Sequence, residues 1–423
     1  MFGRRIVPDG RPNLGWVLGF VLLGFVACAP QLELPDEAST ESKARGDWPE
    51  AAEFPLEQDL AILLPRSTEL RIGPQVLDAS GLEVLPFDWV QLVGESFVET
   101  VVEDAFLTES RYGDWHVAAM RIVPCGPLGK VPSPINDSLC WPGVRIVWQP
   151  TIHNTLIRRR IREHYSDDRA MHVLYDYLPP SMASEVRPML SAARAGQDFD
   201  GERFLALRDQ AVETLLDASF LLRQNSQAPY EQLTYRWELA EGIGSGPAFM
   251  DALRGFIGAH LNRYDVHTVT AFSLPEGRLP GPIGLWTFVA FTAVDGRLTQ
   301  QAIEIVDPDT GEVIGRLDKD ETVGIAEGDA RLVEQMGDSE EGRKLAEQVI
   351  VDRDDIERLR DKINDPSQTM VPNTSCATCH NFNRILFDFH NLSYFESLEI
   401  TVAPRVERDV QWELDWTRRW LNE

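Results

Sequence analysis

The amino terminus of this 423-residue chain has the composition of an export signal, and export constrains how the chain can fold. Arg4, Arg5 and Arg11 precede a region, from Leu14 to Ala27, that carries no charge. A basic start, a short apolar region and small residues before a cleavage point are typical of a secretory signal peptide. Residues 1–27 are therefore predicted to be removed, and the mature chain to fold where cysteines can oxidise.

Cys28 follows the predicted cleavage point, and the sequence Phe25-Val-Ala-Cys28 resembles the bacterial lipobox. This resemblance implies a lipid-modified Cys28 that holds the protein to a membrane through its acyl chains. Ala29, rather than an aspartate, follows the cysteine, which in Gram-negative lipoproteins implies transport to the outer membrane, on its periplasmic or surface face. The alternative is an uncleaved anchor helix, but the apolar region is shorter than the ~20 residues that a bilayer requires.

The charge balance of the chain excludes some classes of partner. Lys and Arg number 40 against 67 Asp and Glu, which gives a net charge of -27. So acidic a chain repels phosphate backbones, and no nucleic-acid partner is expected. Residues 28–55, rich in Pro, Ala, Ser and acidic residues, are predicted to form a flexible acidic tether.

Residues 56–317 are predicted to form an α+β body, a β-containing domain with helical insertions. Strands are expected where short apolar runs are bounded by Gly and Pro, at 115–123, 144–148, 171–178, 266–272, 286–294, 301–306 and 313–317. Helices are expected where apolar residues recur at helical spacing, at 153–165, 188–195, 207–223 and 248–263.

A weak internal similarity links residues 115–150 with residues 286–308, since each region holds two strand-like runs, the second of which ends in proline. Two copies of one β module would explain it, although strands share composition by necessity. After the body, residues 318–366 are strongly charged and are predicted to be helical, with a cap at Asp338 or Ser339. Trp412, Trp416 and Trp420 repeat every four residues and predict a terminal helix, whose tryptophans either pack in the core against the haem segment or form a membrane-surface or partner face.

Cys125 and Cys140 lie on either side of a proline-rich loop in the body. In an exported protein such a pair most often forms a disulfide. A free or metal-binding pair is the alternative.

The last segment, residues 367–423, contains Cys376-Ala-Thr-Cys379-His380. The spacing Cys-x-x-Cys-His is the attachment pattern of a c-type haem, in which two thiols bond the porphyrin and the histidine binds the iron. The motif resembles that of c-type cytochromes, and its flanks resemble haem-motif lipoproteins of Gram-negative bacteria. The resemblance implies one haem c, covalently bound by Cys376 and Cys379, with His380 as an axial iron ligand.

Three other interpretations of this motif stay open. The two cysteines can form a redox-active pair of the thioredoxin type, although no βαβ unit surrounds them. They can form a zinc site with His380 or His390 and a fourth ligand. They can also form a plain structural disulfide.

The sixth iron ligand is the main question that the motif leaves open. In small cytochromes a methionine follows the motif, but none of the 43 residues after His380 is a methionine. His390, ten residues past His380, and Met370 are the nearby candidates. The candidates within the body are the six histidines His116, His153, His164, His172, His260 and His267. An open or water-bound iron is the last alternative.

These features predict a monohaem c-type cytochrome lipoprotein that transfers electrons in the cell envelope. They favour electron transfer over catalysis, and an enzyme that uses an open haem site stays open as a further alternative. The acidic surface favours a basic redox partner, and the lipid anchor implies contact with a membrane. The alternative function is a non-redox envelope lipoprotein that binds a partner or ligand, with Cys376 and Cys379 in a structural disulfide or a zinc site.

Overall fold

An antiparallel sheet organises the part of the chain that the computed structural model describes. The described residues are 56–64, 71–96, 112–128, 139–152, 165–166, 170–224, 246–273, 287–300, 303–306, 313–317, 331–333 and 404–422. They belong to one unit, Thr40–Glu423.

The sheet has eight strands, and every pairing between them is antiparallel. Their spatial order is β1-β2-β3-β5-β6-β7-β8, and β4 pairs with β3 outside this path. The strands are β1 (Ala61–Leu63), β2 (Trp115–Pro127), β3 (Cys140–Ile152), β4 (Tyr165–Ser166), β5 (Ala170–Asp176), β6 (Val266–Ser273), β7 (Thr287–Val294) and β8 (Arg297–Gln300). A smaller sheet contains β9 (Ile303–Val306), β10 (Val313–Leu317) and β11 (Arg331–Val333), in the order β10-β9-β11.

Six α-helices accompany the sheets in the described residues. They are α1 (Glu57–Leu60), α2 (Phe87–Ser96), α3 (Ala183–Arg194), α4 (Gly201–Gln224), α5 (Gly246–His260) and α6 (Pro404–Asn422). Helices α3, α4 and α5 lie in the chain between β5 and β6, which are neighbours in the sheet. The α+β fold class with helical insertions, predicted from the sequence, is therefore confirmed. None of the described helices is both long and apolar enough to cross a membrane.

The central strands are buried on both faces. Residues 115–122 of β2 are each at most 6% exposed, although their side chains point alternately to the two sides of the sheet. An antiparallel sheet often leaves one face in water, so this burial requires cover from other elements on both sides. Helix α6 provides part of it, since Val406, Val410 and Leu414 on one stripe are buried.

Most predicted elements have counterparts in the structure, with shifted ends. The helix predicted at 188–195 begins earlier, at Ala183, so that Pro188 lies inside α3. The region predicted as a helix at 153–165 ends in a strand residue, since Tyr165 pairs with Ile152 of β3. The rest of that region lies outside the described residues, as does the helix predicted after Asp338.

The two similar regions differ in how their strands pair. Strands β2 and β3 are direct neighbours, whereas β7 and β9 belong to different sheets. Duplication of a β module stays a prediction.

One hairpin was not expected from the sequence. Strands β7 and β8 are joined by Asp295 and Gly296, which both have positive φ, of 50° and 71°. Positive φ at both central residues defines a type I′ turn, for which Asp-Gly is a preferred sequence. The carbonyl oxygen of Gly296 accepts hydrogen bonds from Trp89 Nε1 and Arg263 Nη2, at 3.1 and 3.0 Å. The turn is therefore hydrogen-bonded to α2 and to Arg263, which lies in the short 3₁₀ helix before β6.

Gly296→Ala is expected to destabilise the protein by more than Gly81→Ala. Both glycines have positive φ, which costs a non-glycine residue about 1 kcal/mol or more. At Gly296 a Cβ would also approach Arg263 Nε at 3.1 Å and the Tyr264 ring at 3.2 Å, whereas at Gly81 it would meet nothing within 4 Å. Urea unfolding of the two variants measures the difference, and equal losses would contradict this account of the turn.

Candidate functional site

The residues predicted to bind haem and lipid lie outside the described part of the chain. They are Cys28, Met370, Cys376, Cys379, His380 and His390. The structural analysis of the site therefore concerns the cysteines and histidines of the body, and the charged groups around them.

Cys125 and Cys140 are joined by a disulfide. The pairing of β2 with β3 shifts between Val123 and Gly126, so that Cys125 lies within an irregularity of β2. Both cysteines are 2% exposed, and their Cα atoms are 5.0 Å apart. The bridge spans a sequence separation of 15, for which the chain-entropy model gives a stabilisation of about 3 kcal/mol.

His116 and His172 are buried on the central strands, and each is 3% exposed. Burial, together with the charge of Arg71, lowers the pKa of His116 to about 4, against the effect of the Asp114 carbonyl. Both imidazoles lie within the packed sheet. His153 and His164, the other candidates from this region, lie outside the described residues.

His260 ends helix α5 and lies in an aromatic cluster. Its Nδ1 is 3.1 Å from the hydroxyl oxygen of Tyr177. The imidazole lies 5.0 Å from the Phe256 ring and 5.9 Å from the Tyr177 ring, measured between centroids. Burial lowers the pKa of His260, so the ring is neutral near pH 7.

His267 lies beside a carboxylate that an arginine holds in place. Its Nδ1 is 3.3 Å from Asp176 Oδ1, at the ends of strands β6 and β5. Arg194 of α3 donates two hydrogen bonds to the same carboxylate, at 2.8 and 2.5 Å. Burial raises the pKa of Asp176, but Arg194 and His267 outweigh it and hold that pKa well below its usual range.

A local irregularity of the sheet places His267 there. Tyr175 pairs with Val266, and Leu174 pairs with Thr268, so His267 is an extra residue between two pairs. Such bulges turn a side chain away from its regular direction. Burial and Arg194 lower the pKa of His267, although Asp176 acts in the opposite direction.

A buried ion-pair cluster lies elsewhere in the structure, between β2 and α6. Arg121 donates a hydrogen bond from Nη2 to Glu413 Oε1 at 2.7 Å, and its Nη1 lies 3.5 Å from Asp409 Oδ2. Arg145 pairs with Arg121 across β2 and β3, so the two arginines lie on the same face. Arg121 is 2% exposed and Arg145 is 7% exposed, so the two carboxylates compensate cations that water does not reach.

The pKa of Glu413 in this cluster is higher than that of an ordinary glutamate. Burial raises its pKa to about 7, and Asp409 adds to the effect, whereas Arg121 and Arg145 oppose it. Asp409 and Glu413 are four residues apart, so both carboxylates lie on the same face of α6.

Sequence reasoning missed this cluster, although a signal was present. Arg121 interrupts the apolar run predicted as a strand at 115–123, and Arg145 lies in the run at 144–148. A charged residue inside a buried strand requires a partner, since an unpaired buried charge is very costly. The partner could not be chosen by pattern, because 67 acidic residues were available.

The terminal helix that the tryptophan spacing predicts is present as α6, and the structure packs it on the body. Trp416 and Trp420 are stacked, with ring centroids 6.2 Å apart, and are 4% and 5% exposed. Trp420 Nε1 donates a hydrogen bond to Asp209 Oδ1 of α4 at 3.1 Å.

Comparisons with known proteins add no assignment. No family model, no curated protein and no solved structure matches this chain. Within the described residues, no group of three or more His, Cys, Asp or Glu side chains is placed to hold a metal ion.

Arg121→Met is expected to lower the free energy of unfolding by about 3–5 kcal/mol, because it leaves Glu413 and Asp409 buried without their cation. Arg203→Met is the matched control, since Arg203 pairs with Glu185 at 2.6 Å but the two side chains are 50% and 42% exposed. Chemical denaturation should show little change for the control. If both variants lost a similar free energy of unfolding, burial would not be the reason why the Arg121 ion pairs matter.

The stability contributed by Glu413 is expected to fall as the pH rises from about 4.5 to about 7. Its carboxyl has a higher pKa in the folded chain than in the unfolded chain, so folding is favoured by protonation and this advantage disappears as the folded carboxyl ionises. Melting temperatures of the wild type and Glu413→Gln, measured from pH 4 to 8.5, isolate the effect. The wild type should lose stability relative to the variant across this interval, and a difference that is constant or increases with pH would show that the pKa is not raised.

Proposed function

We propose that this protein is a monohaem c-type cytochrome lipoprotein of the cell envelope that transfers single electrons. Cys376 and Cys379 would hold the haem covalently, His380 would bind its iron, and Cys28 would carry the lipid. When bound, a c-type haem supplies a one-electron iron couple.

The division of the five cysteines is the observation that carries this proposal. The disulfide occupies Cys125 and Cys140, which leaves Cys28 in the lipobox and the two cysteines of the attachment motif. A buried disulfide also supports folding in an oxidising compartment. Haem c attachment, lipidation and disulfide formation all take place outside the cytoplasm. The proposed roles of the five cysteines are therefore compatible with a single compartment.

The charge of the chain supports a basic partner. A net charge of -27 creates a negative potential that accelerates encounters with positively charged proteins. This attraction weakens as the salt concentration rises, because the Debye length falls to about 8 Å at physiological ionic strength.

Covalent haem is the property to test. The full precursor is produced in a host with a cytochrome c maturation system, and the membranes are analysed by haem stain on a denaturing gel and by intact mass spectrometry. The wild type should carry one porphyrin mass, and Cys376→Ala/Cys379→Ala should carry none. Cys125→Ser/Cys140→Ser is the matched control and should keep the haem, because its cysteines serve the disulfide.

Absence of porphyrin mass from the wild type would overturn the proposal. Thiol titration and zinc analysis of the same material would then distinguish the alternative, a non-redox envelope lipoprotein in which Cys376 and Cys379 form a disulfide or a zinc site.

A further inference from the structure

Helix α6 is attached to the body by side-chain contacts. It lies against β2, α1 and α4, and the strand order of the large sheet, from β1 to β8, is complete without it. Detachment of α6 would therefore break its own side-chain contacts and leave the strand pairings in place. The strength of those contacts determines whether α6 stays docked.

One of those contacts buries a carboxyl group that is hydrogen-bonded at one oxygen. Glu413 is 6% exposed, and its Oε1 accepts a hydrogen bond from Arg121. Its Oε2 is also buried, and it forms no hydrogen bond within the part of the chain that the structure describes. An ionised carboxylate that leaves water requires partners at both oxygens, whereas the protonated carboxyl is neutral and costs less to bury.

The charges around Glu413 do not remove this cost. Arg121 of β2 and Arg145 of β3 favour the ionised form, but Asp409, four residues earlier on α6, opposes it. Asp409 Oδ2 also lies 3.5 Å from Arg121 Nη1, so the two carboxylates share one guanidinium. Burial is the largest effect and raises the pKa of Glu413 to about 7.

Two acidic side chains also meet where α6 contacts α1. Glu57 of α1 accepts a hydrogen bond from Gln411, and Glu407 lies four residues before Gln411, on the same face of α6. Burial raises the pKa of Glu407, and the charge of Glu57 adds to the effect. On α4, Asp209 accepts a hydrogen bond from Trp420. Both Glu407 and Glu413 therefore bind a proton more tightly in the docked helix than in a helix surrounded by water.

We propose that α6 is a pH-sensitive latch, docked on β2 while Glu413 and Glu407 are protonated and released from a folded sheet as they ionise. A group that binds its proton more tightly in the docked state stabilises docking at low pH, and this effect is lost as the pH rises. Release uncovers the apolar stripe of α6 and the side chain of Arg121. The latch does not depend on a bound haem.

Amide hydrogen exchange of the full chain, followed by mass spectrometry at pH 5 and pH 8, tests the latch. Protection factors, which correct for the intrinsic effect of pH on exchange, are compared for α6 and for β5, a central strand. The protection of α6 should fall roughly 70-fold between the two pH values, as expected if a carboxyl pKa of about 7 returns to 4.5 on release. At pH 8, exchange in α6 should be faster than in β5 and insensitive to low concentrations of urea, because release exposes far less surface than unfolding does.

Three variants separate the latch from other effects of pH. Glu413→Gln keeps the shape of the side chain without an ionisable group, so most of the pH dependence of α6 protection should disappear. Glu407→Gln should remove a smaller part. Asp415→Asn is the matched control and should keep the wild-type profile, because Asp415 lies on the same helix but its side chain is 65% exposed.

Three results would overturn the latch. Equal protection and equal urea sensitivity of α6 and β5 at pH 8 would show that α6 is released only when the whole body unfolds. Protection of α6 that stays constant or rises from pH 5 to pH 8, or a wild-type profile in Glu413→Gln, would show that Glu413 does not control docking. The first two results are obtained with the wild type, so the test is decisive even if Glu413→Gln does not accumulate.

Discussion

The ion pairs of Arg121 with Glu413 and Asp409 fix the end of the chain to its centre. They join β2, inside the sheet, to α6, the last helix, across a sequence separation of 292 residues. The desolvation of these charges is costly, so the cluster stabilises the fold only as a complete set. Its presence means that the packing of α6 depends on specific groups as well as on the apolar stripe of Val406, Val410 and Leu414.

Cation placement also distinguishes the region around His267. The chain has 67 acidic and 40 basic residues, so carboxylates outnumber the cations that can pair with them. Asp176 and Asp265 are each held by an arginine of α3, beside the half-buried imidazole of His267. A single bulge of β6 brings that imidazole to the carboxylate, so a one-residue irregularity in the sheet creates the arrangement.

Sequence patterns were sufficient where the signal was local. Apolar runs predicted β2, β3 and β5, helical spacing predicted α4 and α5, and the tryptophan repeat predicted α6, because each depends on neighbours along the chain. Strand β8 was missed even though Asp295-Gly296 carries a recognised turn signal. The partners of Arg121 and His267 could not be predicted, because the choice among many acidic residues depends on tertiary packing. The Cys-x-x-Cys-His motif is different in kind, since its signal lies in five consecutive residues, 376–380.

The contact between Arg121 and Glu413 has a consequence for biosynthesis. A polypeptide emerges from the ribosome with its amino terminus first, and β2 precedes α6 by nearly the whole body. Until α6 (Pro404–Asn422) has been synthesised, a central strand carries a guanidinium without its acidic partners from that helix. A product that lacks α6 would thus keep an unpaired buried charge at its centre, which lowers its stability and exposes it to proteolysis.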